Sequence, residues 1–269
     1  MKKKRLIPVL LLRNGWLVQS KRFERYQNIG NPISSVKRFS EWASDELIYI
    51  DISRGTQYDM QRDDLAHPNR GNLLEIIEDV SKVSFMPITV GGQIRSIQDI
   101  EQRLSRGADK VTINTAALNN PQFIELAAKE FGSQCIVISI DAKRIDGKSV
   151  VMSDGGRIST NWLAMDWAFE VENMGAGEIL MNSVDRDGMK TGYDIDLLHE
   201  VSQSVKVPVI ALGGVGEMEH FSEALLKTAV DGVAAANFFQ YSDQSVYLAR
   251  EYLYGLGINV RSPELFLIA

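Results

Sequence analysis

Residues 90–111 read VGGQIRSIQDIEQRLSRGADKV, and residues 212–233 read LGGVGEMEHFSEALLKTAVDGV. The two stretches align without a gap: Gly91 falls on Gly213 and Asp109 on Asp231, each pair 122 positions apart. Both run from an apolar strand end through a Gly-Gly pair into an amphipathic helix and on to the next strand. A second relation joins LIPVLLLRNG (6–15) to IVISIDAKRIDG (136–147), which sets Leu11 opposite Asp141 at an offset of 130. A half-unit of structure has been duplicated. One copy carries a carboxylate at a strand end where the other carries a leucine.

Working outward from the repeat, short apolar runs alternate with helical periodicity along the chain. Strands are expected at 6–12, 47–52, 87–90, 110–114, 135–141, 178–184, 208–213 and 232–237. Helices are expected at 34–44, 72–82, 96–106, 121–131, 162–174, 194–204, 217–227 and 244–256. Ser96, Asn120-Pro121 and Asp194 stand at helix starts as capping residues. The strands are unbroken apolar runs, as in parallel sheets covered on both faces. Eight βα units predict an α/β fold, a single (β/α)8 barrel domain over residues 1–269, with an open doubly wound sheet as the competing arrangement. Two four-unit halves complete a ring, which favours closure.

The composition narrows the function. A net charge of −6 offers no basic footprint for nucleic acid. A lone cysteine, Cys135, is expected as a buried core thiol; it permits no disulfide within the chain and suits the cytoplasm. The start MKKKRLIPVLLL has a basic tip, but its apolar run ends at Arg13-Asn14-Gly15 without a cleavage site, so it is taken as a buried strand. No apolar stretch approaches the roughly 20 residues that span a bilayer. His67, His199 and His220 lack metal-ligand spacing, and no dinucleotide fingerprint is present, so no metal and no cofactor are expected. Trp42, Trp162 and Trp167 are expected in helix packing.

Three connections are long, at 13–33, 53–70 and 143–161. All follow strands, on the face where barrel active sites lie. Residues 148–158 predict a small hairpin with a Gly-Gly turn. The second connection, with Arg54, Asp59, Arg62, Asp63, Asp64, His67 and Arg70, is expected as a mobile solvated lid. Gly91-Gly92 and Gly213-Gly214 each join a strand to a helix, where backbone can approach an anion and free N–H groups meet it. With Asn114-Thr115 and Ala236-Asn237 at the ends of the following strands, they predict two phosphate sites across the mouth and an elongated phosphate-bearing ligand. Tight turns alone are the other explanation of these glycines.

Several stretches carry a resemblance along almost the full chain: FERYQNIGNPI, SDELIYIDI, ITVGGQI, RGADKVTINTAAL, FGSQCIVISIDAKRIDG, GAGEILMNSVDRDGMKTGYD, ALGGVGEMEHF and GINVR. The chain resembles the cyclase (synthase) subunit of imidazole glycerol phosphate synthase. The resemblance implies a ribulose-phosphate-binding type of barrel with a glutaminase docked on its N-terminal face. Ammonia then passes through the barrel to the other end. It implies catalytic roles for Asp141 at the end of the fifth barrel strand and Asp187 in DRDG, and substrate binding by Asp51 and Asn182.

The chain departs from that family at three places. Leu11 stands where the first-strand aspartate belongs, Gln19 where the loop lysine belongs, and Asn182 where a small hydroxyl residue belongs. Leucine moves no proton, and positioned acid/base catalysis is worth about 10²–10⁴-fold; no carboxylate stands at positions 7 to 15 to replace it. The run IPVLLLRNGWLV is similar to a paralogous branch of surface-polysaccharide (lipopolysaccharide) biosynthesis. In that branch ammonia is handed to a third, ATP-using enzyme that amidates a nucleotide sugar. The alternative is a competent cyclase, a lyase of histidine biosynthesis.

Arg5, Glu46, Lys110 and Glu178 stand at strand starts, and two positive with two negative charges can close a ring of ion pairs there. The resemblance makes them the ammonia gate, and makes Asp109 a contact to the glutaminase. Asp231, the duplicate of Asp109, points as well to a plain structural duty.

Overall fold

The computed structural model describes residues 2–55, 57–58 and 70–264. Its strands are β1 (Arg5–Arg13), β2 (Trp16–Lys21), β3 (Arg25–Gly30), β4 (Leu47–Asp51), β5 (Ile88–Gly91), β6 (Lys110–Ile113), β7 (Ile136–Ile145), β8 (Lys148–Ser153), β9 (Ile158–Leu163), β10 (Glu178–Ser183), β11 (Val209–Leu212) and β12 (Gly232–Ala235). Eight of them, β1, β4, β5, β6, β7, β10, β11 and β12, pair in parallel with their neighbours. The pairings β6 with β7 and β12 with β1 join the two halves, so the sheet is a closed (β/α)8 barrel and the open doubly wound arrangement is excluded.

Helices stand between the strands: α1 (Pro32–Glu41), α2 (Leu73–Ser81), α3 (Ile97–Ser105), α4 (Thr115–Asn119), α5 (Gln122–Phe131), α6 (Ala164–Asn173), α7 (Ile195–Ser204), α8 (Met218–Lys227) and α9 (Ser245–Gly255). Two of the three expected caps operate; at the start of α5 neither Asn120 nor Pro121 makes a side-chain cap bond. Ser96 accepts the amide of Asp99, which returns the bond in a capping box, and Asp194 accepts the amide of Leu197. In the duplicated unit Glu217 and His220 form the corresponding box with different chemistry. His220 is thus a cap rather than a ligand. His199 faces the carbonyl of Lys227 at 3.3 Å. His67, with Asp59, Arg62, Asp63 and Asp64, lies outside the described residues.

Strand alternation divides the apolar side chains into two sets. Leu6, Leu10, Leu12, Leu47, Tyr49 and Ile138 face outward into the layer shared with the helices. Ile7, Val9, Ile48, Val137, Leu180, Ile210, Leu212 and Ala234 face inward and pack as a separate cluster inside the ring, with Leu11, Ile50 and Ala236 at its upper margin. Both faces of each of the eight barrel strands are therefore largely buried, which is why their sequences show no polar alternation.

Four details depart from expectation. The connection 13–33 is not a loop: β1 runs on into β2 and β3 as an antiparallel extension. Connection 143–161 holds the expected hairpin, β8 and β9 about the Gly155-Gly156 turn, but enlarges it to three antiparallel strands, because β7 continues to Ile145 and pairs with β8. Trp162 lies in β9 rather than in a helix, although it still packs on Trp167 with ring centroids 5.1 Å apart. Cys135 is half-buried at the foot of β7 instead of fully buried in the core.

Candidate functional site

The lower end of the barrel is closed by charge. Arg5 reaches Glu46 at 2.6 Å and Glu178 at 2.5 Å, and Lys110 reaches the other oxygens of Glu46 at 3.1 Å and Glu178 at 3.0 Å. The four residues expected to form a ring do form one, with the signs alternating around it. Burial disfavours the Arg5 cation, but Glu178 and Glu46 outweigh it and hold its pKa above the ordinary value. An open cavity of about 360 Å³ lies against this ring, lined among others by Lys2, Lys3 and Asp231. Asp109, next to Lys110, is exposed and accepts the amide of Ile88 at 2.8 Å, a bond that ties β6 to β5.

Above the ring comes the apolar sleeve, and within it a few polar side chains on adjacent strands. Thr112 rises on β6 and Asn114 stands just past its end, Ser139 and Asp141 lie on β7, and Asn182 on β10. Thr112 Oγ1, Asn114 Oδ1 and Asn182 Oδ1 are buried and have no hydrogen-bond partner. Such orphaned acceptors are uncommon in native interiors and call for an explanation.

Asp141 is the acid of the upper end. Asn114 Nδ2 donates to its Oδ2 at 2.7 Å and Asn182 Nδ2 to its Oδ1 at 3.1 Å, so both carboxylate oxygens are held. Burial pushes its pKa up to about 6 and the charge of Asp187 pushes the same way, against the two amide donors. Leu11, at the corresponding place on β1, pairs with Ile50 on β4 and Val18 on β2. The position on β1 that corresponds to Asp141 is therefore apolar, as are its paired neighbours.

Asp187 is brought to the same end but is already engaged. Ser20 Oγ donates to its Oδ2 at 2.6 Å and the amide of Phe23 at 3.2 Å, while the amide of Arg22 donates to its carbonyl at 3.0 Å. Burial raises its pKa and these donors oppose the rise. Asp51, at the end of β4, accepts from Ser53 N, Tyr58 Oη and Gln93 Nε2, and burial again raises its pKa against the pull of those donors. Gln19 is fixed between Gln27 and Tyr241, whose hydroxyl donates to it at 2.5 Å.

The Gly-Gly pairs sit where expected, at the ends of β5 and β11. A Cβ at Gly92 would run into the carbonyl of Asp51, and one at Gly214 into the carbonyl of Gly192; both residues have positive φ, +96° and +106°. Packing alone therefore demands glycine at these two positions. At the partner positions, Thr115 Oγ1 accepts the amide of Asp154 at 3.0 Å, and Asn237 Nδ2 donates to the carbonyl of Ser20 at 2.8 Å. Ala236 packs at the rim of the interior cluster.

Ser20, Tyr58, Gln93 and Tyr241 are the site residues that sequence reasoning missed. Gln93 follows the Gly-Gly pair directly, which was a usable signal. The others come from segments that carry no motif. Among the described residues no group of three or more His, Cys, Asp or Glu is placed to hold a metal, and no helix is long and apolar enough to cross a membrane.

A family model described as "Histidine biosynthesis protein" matches residues 5–245. The match spans every barrel strand, the four-charge ring and each of the acids above.

Proposed function

From the premise that this chain belongs to the histidine biosynthesis protein family, we propose that it is the barrel subunit of a glutamine-dependent amidotransferase. It takes ammonia from a glutaminase at the lower face and conducts it through the ring. The observation that carries this reading is the combination of ends. The ion-pair ring Arg5–Glu46–Lys110–Glu178 is complete, while the residue opposite Asp141 is Leu11. A protein selected for cyclisation keeps both acids; a protein selected for transfer needs only the passage.

The interior suits a small neutral nucleophile. Ammonia offers three N–H donors, and the orphaned acceptors of Thr112, Asn114 and Asn182 are what such donors would meet between the gate and Asp141. The apolar cluster around them disfavours the ammonium form and so keeps the nucleophile unprotonated. The acceptor is a nucleotide sugar amidated by a third, ATP-using enzyme in cytoplasmic surface-glycan synthesis, in keeping with the leucine-rich first strand.

The second reading is a competent imidazole glycerol phosphate synthase cyclase. One feature favours it: burial pushes the Asp141 carboxyl up to about 6, close to the operating pH where a general acid/base is most effective.

Expression in a strain lacking the histidine cyclase separates the two. Growth without histidine would overturn the transfer reading. For transfer itself, the complex with its glutaminase is given ¹⁵N-amide glutamine, and label in the product is compared between the native chain and Lys110→Ala. Loss of label with glutaminase activity retained is expected, and undiminished label would sink the proposal.

A further inference from the structure

The hairpin β2–β3 carries a tip that its own sequence disfavours. Arg22 and Phe23 both have positive φ, +53° and +59°. Two successive left-handed residues are the pattern of a type I′ turn, where Asn-Gly is preferred and an L side chain is strained. Within the hairpin the Glu24 amide closes the turn on the Lys21 carbonyl at 3.1 Å and the Tyr26 hydroxyl donates to the Phe23 carbonyl at 2.6 Å. The remaining support comes from residues far along the chain, at the barrel mouth.

Asp187 receives three donors from the hairpin end: Ser20 Oγ on its carboxylate at 2.6 Å, the Phe23 amide on the same oxygen at 3.2 Å, and the Arg22 amide on its carbonyl at 3.0 Å. The last two come from the left-handed pair itself. Asn237, after β12, brackets Ser20 from the other side: its Nδ2 donates to the Ser20 carbonyl at 2.8 Å and its Oδ1 accepts the Ser20 amide at 3.4 Å. Ser20 is 2% exposed, so its polar groups depend on these partners rather than on water. Gly188 lies directly beneath the Ser20 carbonyl, where a Cβ would not fit. A second tether runs from Tyr241 to Gln19.

We infer that Ser20, Asp187 and Asn237 form a bolt that holds the β2–β3 hairpin down over the barrel mouth, and that Asp187 is a positioning residue, a strut for the hairpin. A carboxylate whose Oδ2 is committed to a buried hydroxyl and an amide is poorly placed to shuttle protons. The bolt is a property of this chain's contacts and holds whether or not the barrel carries ammonia. Its failure and the failure of the transfer reading are read by different experiments.

Amide hydrogen exchange on the full chain tests the inference. In Ser20→Ala the amides of residues 16–30 should exchange roughly tenfold faster or more, while those of β7 and β10 keep their native protection. Asn237→Ala attacks the bolt from its other side and should release the same segment. Tryptic cleavage at Lys21, Arg22 and Arg25 should accelerate in step. Unchanged exchange over 16–30 in both variants would overturn the inference. So would an increase shared equally by the hairpin and the barrel strands, since that is global destabilisation and not release of a bolt.

Discussion

Asp109 accepts the amide of Ile88 and Asp231 accepts the amide of Val209, so two residues 122 positions apart do the same work in the two halves of the barrel. Each also returns the bond through its backbone: the Asp109 amide donates to Ile88 and the Asp231 amide to Val209, both at 2.8 Å. Asp45 repeats the arrangement with Leu6. The clamp pins the start of one strand to the start of the next, and a short polar side chain before the strand is what the geometry requires.

Asp109→Ala and Asp231→Ala should therefore lose similar stability, about 1 kcal/mol each, measured by chemical denaturation. If Asp109 also meets a glutaminase, only its variant should weaken binding to that partner in a titration. Equal affinities would leave Asp109 with the clamp alone.

Replacing Asp141 by Asn should stabilise the protein at pH 7.5. The carboxyl titrates at about 6 in the fold against an ordinary value of 3.8. A pKa raised by folding means that the protonated form favours the folded state: that contribution is complete below about pH 3.8 and is lost as pH rises through about 6. The gap corresponds to about 3 kcal/mol. The gain should shrink to nothing near pH 4. Asn114 and Asn182 can turn to suit the amide, because the Oδ1 of each lacks a partner. Thermal denaturation of Asp141→Asn and the native chain at the two pH values decides it; a variant less stable at pH 7.5 would mean that the lost amide bonds outweigh burial.

The four-charge ring makes a prediction about neutrality. Glu178→Gln leaves Arg5 and Lys110 sharing Glu46 in a mostly buried setting, and should cost about 2–4 kcal/mol. Adding Lys110→Met restores one cation to one anion. The double variant should lose less than the two single losses summed, a coupling of about 1 kcal/mol or more in a double-mutant cycle. Additive losses would show that the ring does not act as a unit.

Gly188→Ala should disturb the mouth without touching a polar group. The residue has a φ of +65°, and the added methyl meets the Ser20 carbonyl. The expected cost is about 1–3 kcal/mol, with the excess exchange confined to residues 16–30. Native-like exchange there would show that the hairpin can shift to make room.

Much of the barrel was legible because its causes are local. The runs IVISI within Ile136–Ile145 and ILM within Glu178–Ser183 stay almost wholly apolar through successive positions, so they announce parallel strands. Ser96 and Asp194 mark helix starts by the bonds their own side chains make. The hairpin at 16–30 was not legible. Its second strand alternates exposed and half-buried residues, and its turn is Arg22-Phe23 where the usual signal is Asn-Gly. Within the site, Asp141 was found and its environment was not. Its two amide donors stand at the end of β6 and on β10, and only the pairing of those strands on either side of β7 brings them to it.

By itself the sequence determined that the chain repeats a βα unit and favoured its closing into a ring. It also set four charges at one end of that ring and left a single first-strand leucine where an acid is expected. These follow from residue type and spacing, which act over a few positions. Only the tertiary structure decided which polar groups satisfy one another. Ser20 and Asp187 are 167 residues apart, and nothing in either neighbourhood selects the other. The choice is made when burial strips water from both and each must bond to whatever the closed barrel has placed within reach.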